Sequence, residues 1–201
     1  MRAAQSSQPE PLAMSEVDYL AFEARSEIKH EFVDGKVYAM TGASWNHSVI
    51  NSNVQGMLNS QLADKSCRAV SSDMRVKVQS KTVSFRYPDT IVVCGEPIFA
   101  DNRTDTLTNP AVIVEVLSPS TVLIDRNEKL DEYIQIDSVQ HYVLIAQHTA
   151  KVEVYSRQSD GQWLYTQAKD PDATVELASI GGTLRLATLY DGVQFNDSGT
   201  G

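Results

Sequence analysis

The chain has 201 residues, of which 42% are hydrophobic, so it is long enough to bury one sizeable core and too short for two large ones. Its formal net charge of −9 excludes general electrostatic affinity for phosphate backbones, and any nucleic-acid role must depend on a local basic surface. No segment approaches the roughly 18 apolar residues that a membrane span requires, and no apolar signal region is found at the N-terminus. A cytoplasmic protein with no membrane association is therefore expected.

A single domain is expected between two polar ends. Residues 1–13 are rich in Gln, Ser and Pro, and the tail 196–201 is small and polar, so both are predicted to be disordered. Residues 14–195 contain no repeat and no linker-like stretch, and they would form one domain.

The first half of this domain begins with a helix, a hairpin and a longer helix. Ser15 is a candidate N-cap for a helix in SEVDYLAFEARS. Asp34-Gly35 stands between two apolar strands, which is the strongest short signal of a hairpin. In WNHSVINSNVQGMLNSQLADK, apolar residues recur at helical spacing and Asn and Gln fill the other face, which predicts an amphipathic helix.

Strands dominate the rest of the chain. CRAVSSDMRVKVQ, TVSFRYPDTIVV and PAVIVEVLS are typical of three strands, and HYVLIAQHTAKVEVYSR and QWLYTQA predict further ones. Between them TVLIDRNEKLDEYIQI predicts a helix with Leu123, Leu130 and Ile134 toward the core. This order of elements predicts an α/β domain in which a mixed sheet is flanked by helices.

Two of these strands carry an acid where an apolar residue is expected. Asp89 shares the alternation of Tyr87, Ile91 and Val93, and Glu115 interrupts a strand that is apolar on both faces. Two carboxylates on neighbouring strands repel each other by about 4 kcal/mol at ~4 Å for an effective dielectric near 20, so a counter-charge is required. With no His or Cys beside them, the hard oxygens favour Mg²⁺ or Mn²⁺, which can activate water for attack on a phosphoryl group. The alternative is that each acid pairs separately with a basic residue.

The predicted helix that follows Glu115 supplies a candidate cation. Asp125, Lys129 and Tyr133 are spaced i, i+4 and i+8, so Lys129 can reach back over the strand end. Its ammonium could stabilise the charge that develops on a phosphate in the transition state. An ordinary surface ion pair with Asp125 is the alternative.

These segments together resemble the Uma family of restriction-endonuclease-like proteins, within the PD-(D/E)XK nuclease superfamily. The resemblance rests on YPDTIVV, VIVEVLSPST, DRNEKLDEY and VQHYVLIA, and it extends to KHEFVDGKVYAMTGAS and IGGTLRLATLYDGVQF, so it covers about residues 14–195. It implies a restriction-endonuclease-like αβββαβ core with an N-terminal hairpin and extra C-terminal strands, Mg²⁺ dependence and phosphodiester hydrolysis. Asp89 matches the acid of the PD pair and Glu115 the (D/E) position. Leu117 stands where the motif has its lysine, and Lys129 would take over that role.

Three more residues are candidates for the same site, two of them in the first half of the chain. Glu31, ahead of the Asp34-Gly35 turn, resembles an acidic position of the family, and a solvated hairpin residue is the alternative. His47 is a secondary candidate near the start of the long helix, where a lone His is more often a surface or capping residue. Tyr133 is secondary on its spacing from Lys129.

One stretch of the chain is basic. Residues 65–88 carry a net charge of +5, whereas the rest of the chain carries −14. Because this stretch leads into Asp89, basic side chains on the exposed faces of its strands are predicted to hold a phosphate backbone. A solubilising strand face or a protected sheet edge is the alternative. The candidates are Arg68, Arg75, Lys77, Lys81 and Arg86.

The two cysteines are not expected to carry function. Cys67 and Cys94 are too far apart for a CxxC pair, and no residue near them has zinc-ligand spacing. We expect reduced thiols in the core.

The leading hypothesis is a Mg²⁺- or Mn²⁺-dependent endonuclease that acts on DNA. Asp89 and Glu115 would bind the metal, Lys129 would act as the electrostatic catalyst, and Glu31 would be a further acid. The alternative is a catalytically inactive module with the nuclease fold, which binds nucleic acid or protein and in which Lys129 only neutralises Glu115. A homodimer is expected, since two-fold pairing is the commonest assembly.

Overall fold

The computed structural model describes residues 11–100 and 103–195. The helices are α1 Glu16–Glu23, α2 Trp45–Gln61, α3 Val122–Arg126, α4 Glu128–Tyr133 and α5 Leu186–Leu189. The strands are β1 Leu12–Ala13, β2 His30–Val33, β3 Lys36–Ala39, β4 Cys67–Ser71, β5 Arg75–Gln79, β6 Val83–Arg86, β7 Thr90–Cys94, β8 Thr106–Leu107, β9 Val112–Leu117, β10 His141–Ala146, β11 Val152–Arg157, β12 Trp163–Ala168, β13 Thr174–Leu177 and β14 Gly182–Arg185. Over these two ranges, no helix combines the length and the apolar character needed to cross a bilayer.

Most of the strands belong to two six-stranded sheets. Sheet A has the order β1-β3-β2-β6-β5-β8, sheet B has the order β12-β11-β10-β9-β7-β4, and β13 and β14 form a separate hairpin. In sheet B, β9 runs parallel to β10 and antiparallel to β7. The predicted α/β class with mixed pairing and flanking helices is confirmed, with the strands divided between two sheets instead of collected in one.

Both faces of the central strands of sheet B are covered by apolar side chains. On one face α2 contributes Ile50, Val54 and Leu58, and on the other β5 of sheet A contributes Val76 and Val78. The central strand β9 is consequently buried at every position, which explains its continuous apolar run. Each fully buried apolar side chain stabilises the fold by about 1.5–3 kcal/mol relative to an exposed one.

Helix α1 covers the outer face of sheet A. The Tyr19 ring of α1 lies 5.1 Å from the ring of Phe32 and 5.3 Å from that of Phe85. Sheet A is therefore covered on both faces, by α1 on the outside and by sheet B and α4 on the inside, and polar side chains from either face are withdrawn from solvent.

The helix predicted after β9 is divided at Asn127. Its side-chain amide donates to the carbonyl of Leu123 at 2.7 Å and so replaces the backbone N–H that would continue the helix. The expectation that Leu123 faces the core is wrong, because its side chain is 74% exposed. The buried positions are instead Asp125, Lys129 and Tyr133, so the inner face of this segment is a polar line.

The predicted N-terminal disorder is wrong for its last two residues. Leu12 and Ala13 form β1, which pairs antiparallel with Val37 and Lys36 of β3. Residues 1–10 and the predicted tail 196–201 lie outside the described residues.

The prediction of reduced cysteines is also wrong. Cys67 of β4 lies directly opposite Cys94 of β7 in the antiparallel register, and the two form a disulfide. The two cysteines are 27 positions apart in the sequence, and their proximity could not be predicted because it depends on which strands become neighbours.

Candidate active site

The chain crosses from sheet A to sheet B between β6 and β7. Asp89 lies in this crossover, immediately before β7, so the prediction that it is part of a strand is wrong. Its Oδ2 accepts a hydrogen bond from the N–H of Val116 at 2.7 Å and lies 3.1 Å from Nε2 of His47. Because Val116 follows Glu115 on β9, both predicted acids lie at the same place on sheet B.

Glu115 is buried, with 4% of its side chain exposed. Its Oε1 accepts hydrogen bonds from Nζ of Lys129 at 2.9 Å and from the hydroxyl of Tyr133 at 3.2 Å. Both donors come from α4. Lys129 therefore reaches back to the strand, as its helical spacing predicted, and Tyr133, one turn further along, contacts the same oxygen of Glu115.

Two more carboxylates surround the Lys129 ammonium. Oδ1 of Asp125 lies 3.1 Å from Nζ, and Oε1 of Glu31 on β2 lies 3.5 Å from it. Sequence reasoning considered Asp125 only as a surface partner and missed it as a site residue, although its side chain is 2% exposed. Its i−4 position relative to Lys129 was the available signal.

Arg86 holds Glu31 in place. Its guanidinium donates to Glu31 at 2.9 Å and makes a bidentate contact with Glu132 of α4 at 2.8 and 2.7 Å. Such bidentate pairs fix orientation as well as charge. Arg86 thereby joins β2, β6 and α4 beside the site.

The charges in this cluster do not balance. Burial raises the pKa of Glu115 well above its usual range, against the lowering by Lys129, and the carboxylates of Asp125, Asp89 and Glu31 raise it further. Burial alone would lower the pKa of Lys129, but Glu115, Glu31 and Asp125 together hold it well above its usual value. The site therefore retains a proton on a carboxyl or gains stability from an added cation.

The predicted phosphate-binding surface is wrong for its two most buried members. Arg75 and Arg86 are each 2% exposed, because sheet A is covered on both faces. Arg75 donates to Asp105 at 2.6 Å and lies beneath the ring of Tyr19.

The other three basic candidates have different surroundings. Lys77 pairs with Glu16 of α1 at 2.6 Å, and the Arg68 guanidinium donates to backbone carbonyls near the end of α2, including that of Leu62 at 2.9 Å. Lys81 is exposed. The stretch thus uses several of its positive charges inside the fold, which a count of charges along the sequence cannot show.

Residues 17–188 match the Uma2 family, which is described as "Putative restriction endonuclease". The chain belongs to the Uma2 family. Two Synechocystis proteins, sll1609 and slr1290, are each 35% identical to it, over 165 and 183 residues. These alignments cover 82% and 90% of this chain and 93% and 94% of the two relatives. The resemblance drawn from the motifs is confirmed.

A solved structure shares the Uma2 chain's fold. It is titled "a putative nuclease belonging to DUF820" and comes from Anabaena variabilis. The two structures agree with a TM-score of 0.73 at 21% identity, over 92% of this chain and 100% of the other. The site therefore lies on the same fold as that protein.

Asp89 and Glu115 offer carboxylate oxygens, which are the ligands that hard divalent cations prefer. In the ranges that the structure covers, no three His, Cys, Asp or Glu side chains form a ready-made metal cage. Mg²⁺ keeps several waters and is commonly bound by only one or two carboxylates. Within the same ranges, the hydrogen bonds and ion pairs of Asp89 engage Oδ2 and those of Glu115 engage Oε1, so one oxygen of each acid is left for a cation.

Proposed function

We propose that this chain is a Mg²⁺- or Mn²⁺-dependent endonuclease that hydrolyses phosphodiester bonds in DNA. The observation that carries the proposal is the convergence of Asp89, Glu115, Lys129 and Glu31 from four separate segments on one poorly solvated cluster. Membership of a family described as "Putative restriction endonuclease", and a fold shared with a protein described as "a putative nuclease", support the same class of reaction. We place the activity in the cytoplasm, as the sequence predicts.

Each side chain has a distinct part in this reaction. A cation held by the free oxygens of Asp89 and Glu115 would polarise the phosphoryl group and acidify a bound water. Lys129 stabilises the negative charge that develops on the phosphate, since its pKa keeps it charged at neutral pH. His47, 3.1 Å from Asp89 and partly exposed, is placed to carry a proton to or from the reacting oxygens.

The surface at the start of α2, the helix that carries His47, offers a place for a nucleic-acid strand. Trp45, two residues before His47, is 68% exposed, which is unusual for so large an apolar side chain. It lines a shallow depression of about 440 Å³ with His148 and Gln194. An exposed indole can stack on a base, and such stacking contributes about 1–3 kcal/mol per base.

One observation favours a second function. Lys129 already neutralises Glu115 at 2.9 Å, as expected for a nuclease-fold module that binds nucleic acid or protein without cleaving it. In that case Lys129 is a structural counter-ion and no cation is required.

Cleavage of supercoiled plasmid DNA in Mg²⁺ or Mn²⁺ separates these two functions. We expect the wild-type protein to nick the plasmid and Lys129→Met to lose about 100-fold or more in rate, which is the usual effect of removing one transition-state donor. Lys36→Met is the matched control, because Lys36 is exposed on β3, and it should cut like wild type. If wild type does not cleave with either metal, the binding module without nuclease activity is the function that remains. If a folded Lys129→Met protein is fully active, Lys129 has no part in the mechanism.

A further inference from the structure

Strand β12 is an exposed edge of sheet B. Among the described strands of this sheet it pairs with β11 alone. Leu164 and Tyr165 are 51% and 43% exposed, and Thr166 and Gln167 are exposed as well, so both faces of β12 meet solvent.

The direction of the unused backbone groups follows from the ladder. Arg157 of β11 donates its N–H to Gln140 on the β10 side, so the neighbouring Ser156 directs its backbone toward β12, where it faces Leu164. At the turn between the two strands, the N–H of Gln158 donates to the carbonyl of Gln162 at 2.8 Å, which shows that even-numbered residues of β11 direct their backbone groups toward β12. The backbone N–H and C=O groups that point away from β11 are therefore those of Trp163, Tyr165 and Gln167.

Natural proteins protect such edges, and β12 lacks the usual protection. Charged side chains, Pro residues, bulges and very short strands discourage edge pairing. In the part of the chain that the structure describes, the edge strands β1 and β8 have two residues each, and the edge strand β4 carries the exposed Arg68. Strand β12 has six residues, WLYTQA, with no charge and no Pro.

We propose that β12 pairs antiparallel with β12 of a second copy of this chain, about a two-fold axis at Tyr165. In this register Trp163 of one copy faces Gln167 of the other, and all the outward backbone groups of these three residues find partners. A second copy is favoured as the occupant because the register is self-complementary. Two chains of net charge −9 repel each other, and an uncharged strand is where they approach at least electrostatic cost.

The pairing extends sheet B through both copies and sets the distance between the two sites. Glu115, Leu144, Glu153 and Gln167 lie in one row across β9, β10, β11 and β12. Eight strands, from β9 of one copy to β9 of the other, are separated by seven strand spacings. Because Gln167 faces Trp163 of the other copy, the two rows are also shifted by four residues along the strand, so the two Glu115 residues lie roughly 35 Å apart. This is about one turn of B-DNA, although the dimer itself does not depend on the nuclease function.

Sedimentation of the full chain at micromolar concentration, with three variants, tests the proposal. Wild type should sediment as a dimer. Gln167→Pro should be monomeric and folded, because the N–H that it removes points away from β11, whereas Gln167→Ala keeps that N–H and should remain dimeric. Tyr165→Lys should also be monomeric, because two like charges would meet at the axis.

Three results would overturn the proposal. They are a monomeric wild type, a folded Gln167→Pro protein that remains dimeric, and a dimeric Tyr165→Lys protein. If Gln167→Pro fails to fold, Tyr165→Lys decides alone. Plasmid cleavage measured on the same samples is a separate readout, so loss of the dimer and absence of nuclease activity are distinguishable.

Discussion

Lys129 lies among the carboxylates of Glu115, Asp125 and Glu31, with 7% of its side chain exposed. Removing the Lys129 ammonium from this buried cluster would leave its carboxylates without a counter-charge, which typically costs about 3–5 kcal/mol. The cluster has more acids than Lys129 can neutralise, and the raised pKa of Glu115 expresses this excess. A bound cation would relieve the same excess. The arrangement that makes the site electrostatically unfavourable in the metal-free state is thus the one that would favour metal binding.

Glu115→Gln is expected to leave the metal-free protein at least as stable as wild type at neutral pH. Because the pKa of Glu115 is raised in the folded state, the native protein keeps a proton that the unfolded chain releases. Wild type therefore loses stability as pH rises from the unfolded pKa toward the folded one, and the Gln variant does not. Thermal unfolding between pH 4 and pH 9 in EDTA measures the difference.

The control is Glu176→Gln, an exposed position on β13, which should show no such pH-dependent gap from wild type. A Glu115→Gln protein that melts several degrees below wild type at every pH would contradict the account of an overcharged site.

At the scale of elements, α3 and α4 determine where Lys129 lies. Arg126 of α3 makes a bidentate contact with Glu153 of β11, and the Tyr165 hydroxyl donates to the same carboxylate at 2.6 Å. This anchor fixes the segment beside sheet B, and Tyr142 adds a hydrogen bond from its hydroxyl to the carbonyl of Asp125 at 2.8 Å. The two short helices are held by tertiary contacts, because helices of this length are marginal alone.

Glu153→Gln is expected to destabilise the protein by about 1–3 kcal/mol at pH 7, since it removes the carboxylate charge that pairs with the partly exposed Arg126. Burial would raise the pKa of Glu153, but Arg126, Tyr165 and Lys151 lower it to about 2. Its contribution is present above the ordinary carboxyl pKa and is lost as pH falls through about 2. Urea unfolding at pH 7 and in steps down to pH 2 should show the gap between variant and wild type closing with acid. A gap that is constant with pH would show that the carboxylate charge is not what anchors α3.

Features that depend on neighbouring residues in the sequence could be predicted, whereas breaks and crossovers between elements could not. Helical spacing predicted that Lys129 reaches back over the end of the preceding strand, and Lys129 does contact Glu115 there, because the relation is local in the sequence. The break in the helix at Asn127 depends on the hydrogen bond from its side-chain amide to a backbone carbonyl. The pattern of apolar residues does not predict this hydrogen bond. Asp89 was expected within a strand, since TVSFRYPDTIVV alternates across a crossover that joins two sheets.

The remaining wrong predictions concern residues whose surroundings depend on how the strands are arranged in the whole molecule. Arg75 and Arg86 were expected on an open surface, but α1 and α4 cover the two faces of sheet A. Cys67 and Cys94 were expected to be reduced thiols, but β4 and β7 are neighbours and the two cysteines form a disulfide. Both outcomes depend on long-range order of strands, which a single sequence does not reveal. The family motifs, by contrast, combined residues distant in the chain and so anticipated the fold and the meeting of the acids.

Calorimetric titration of metal-free wild type and Asp89→Asn with Mg²⁺ and Mn²⁺ measures directly whether Asp89 and Glu115 form a metal site. Wild type should bind one ion per chain and melt higher with metal. Asp89→Asn should give no binding heat and no thermal gain, yet melt no lower than wild type without metal, because the Asn oxygen can still accept the N–H of Val116. Asp64→Asn, an exposed control, should behave like wild type. A metal site is ruled out if wild type neither gives heat nor gains stability up to millimolar metal. It is also ruled out if metal-free Asp89→Asn melts several degrees lower, which would show that Asp89 serves the fold alone.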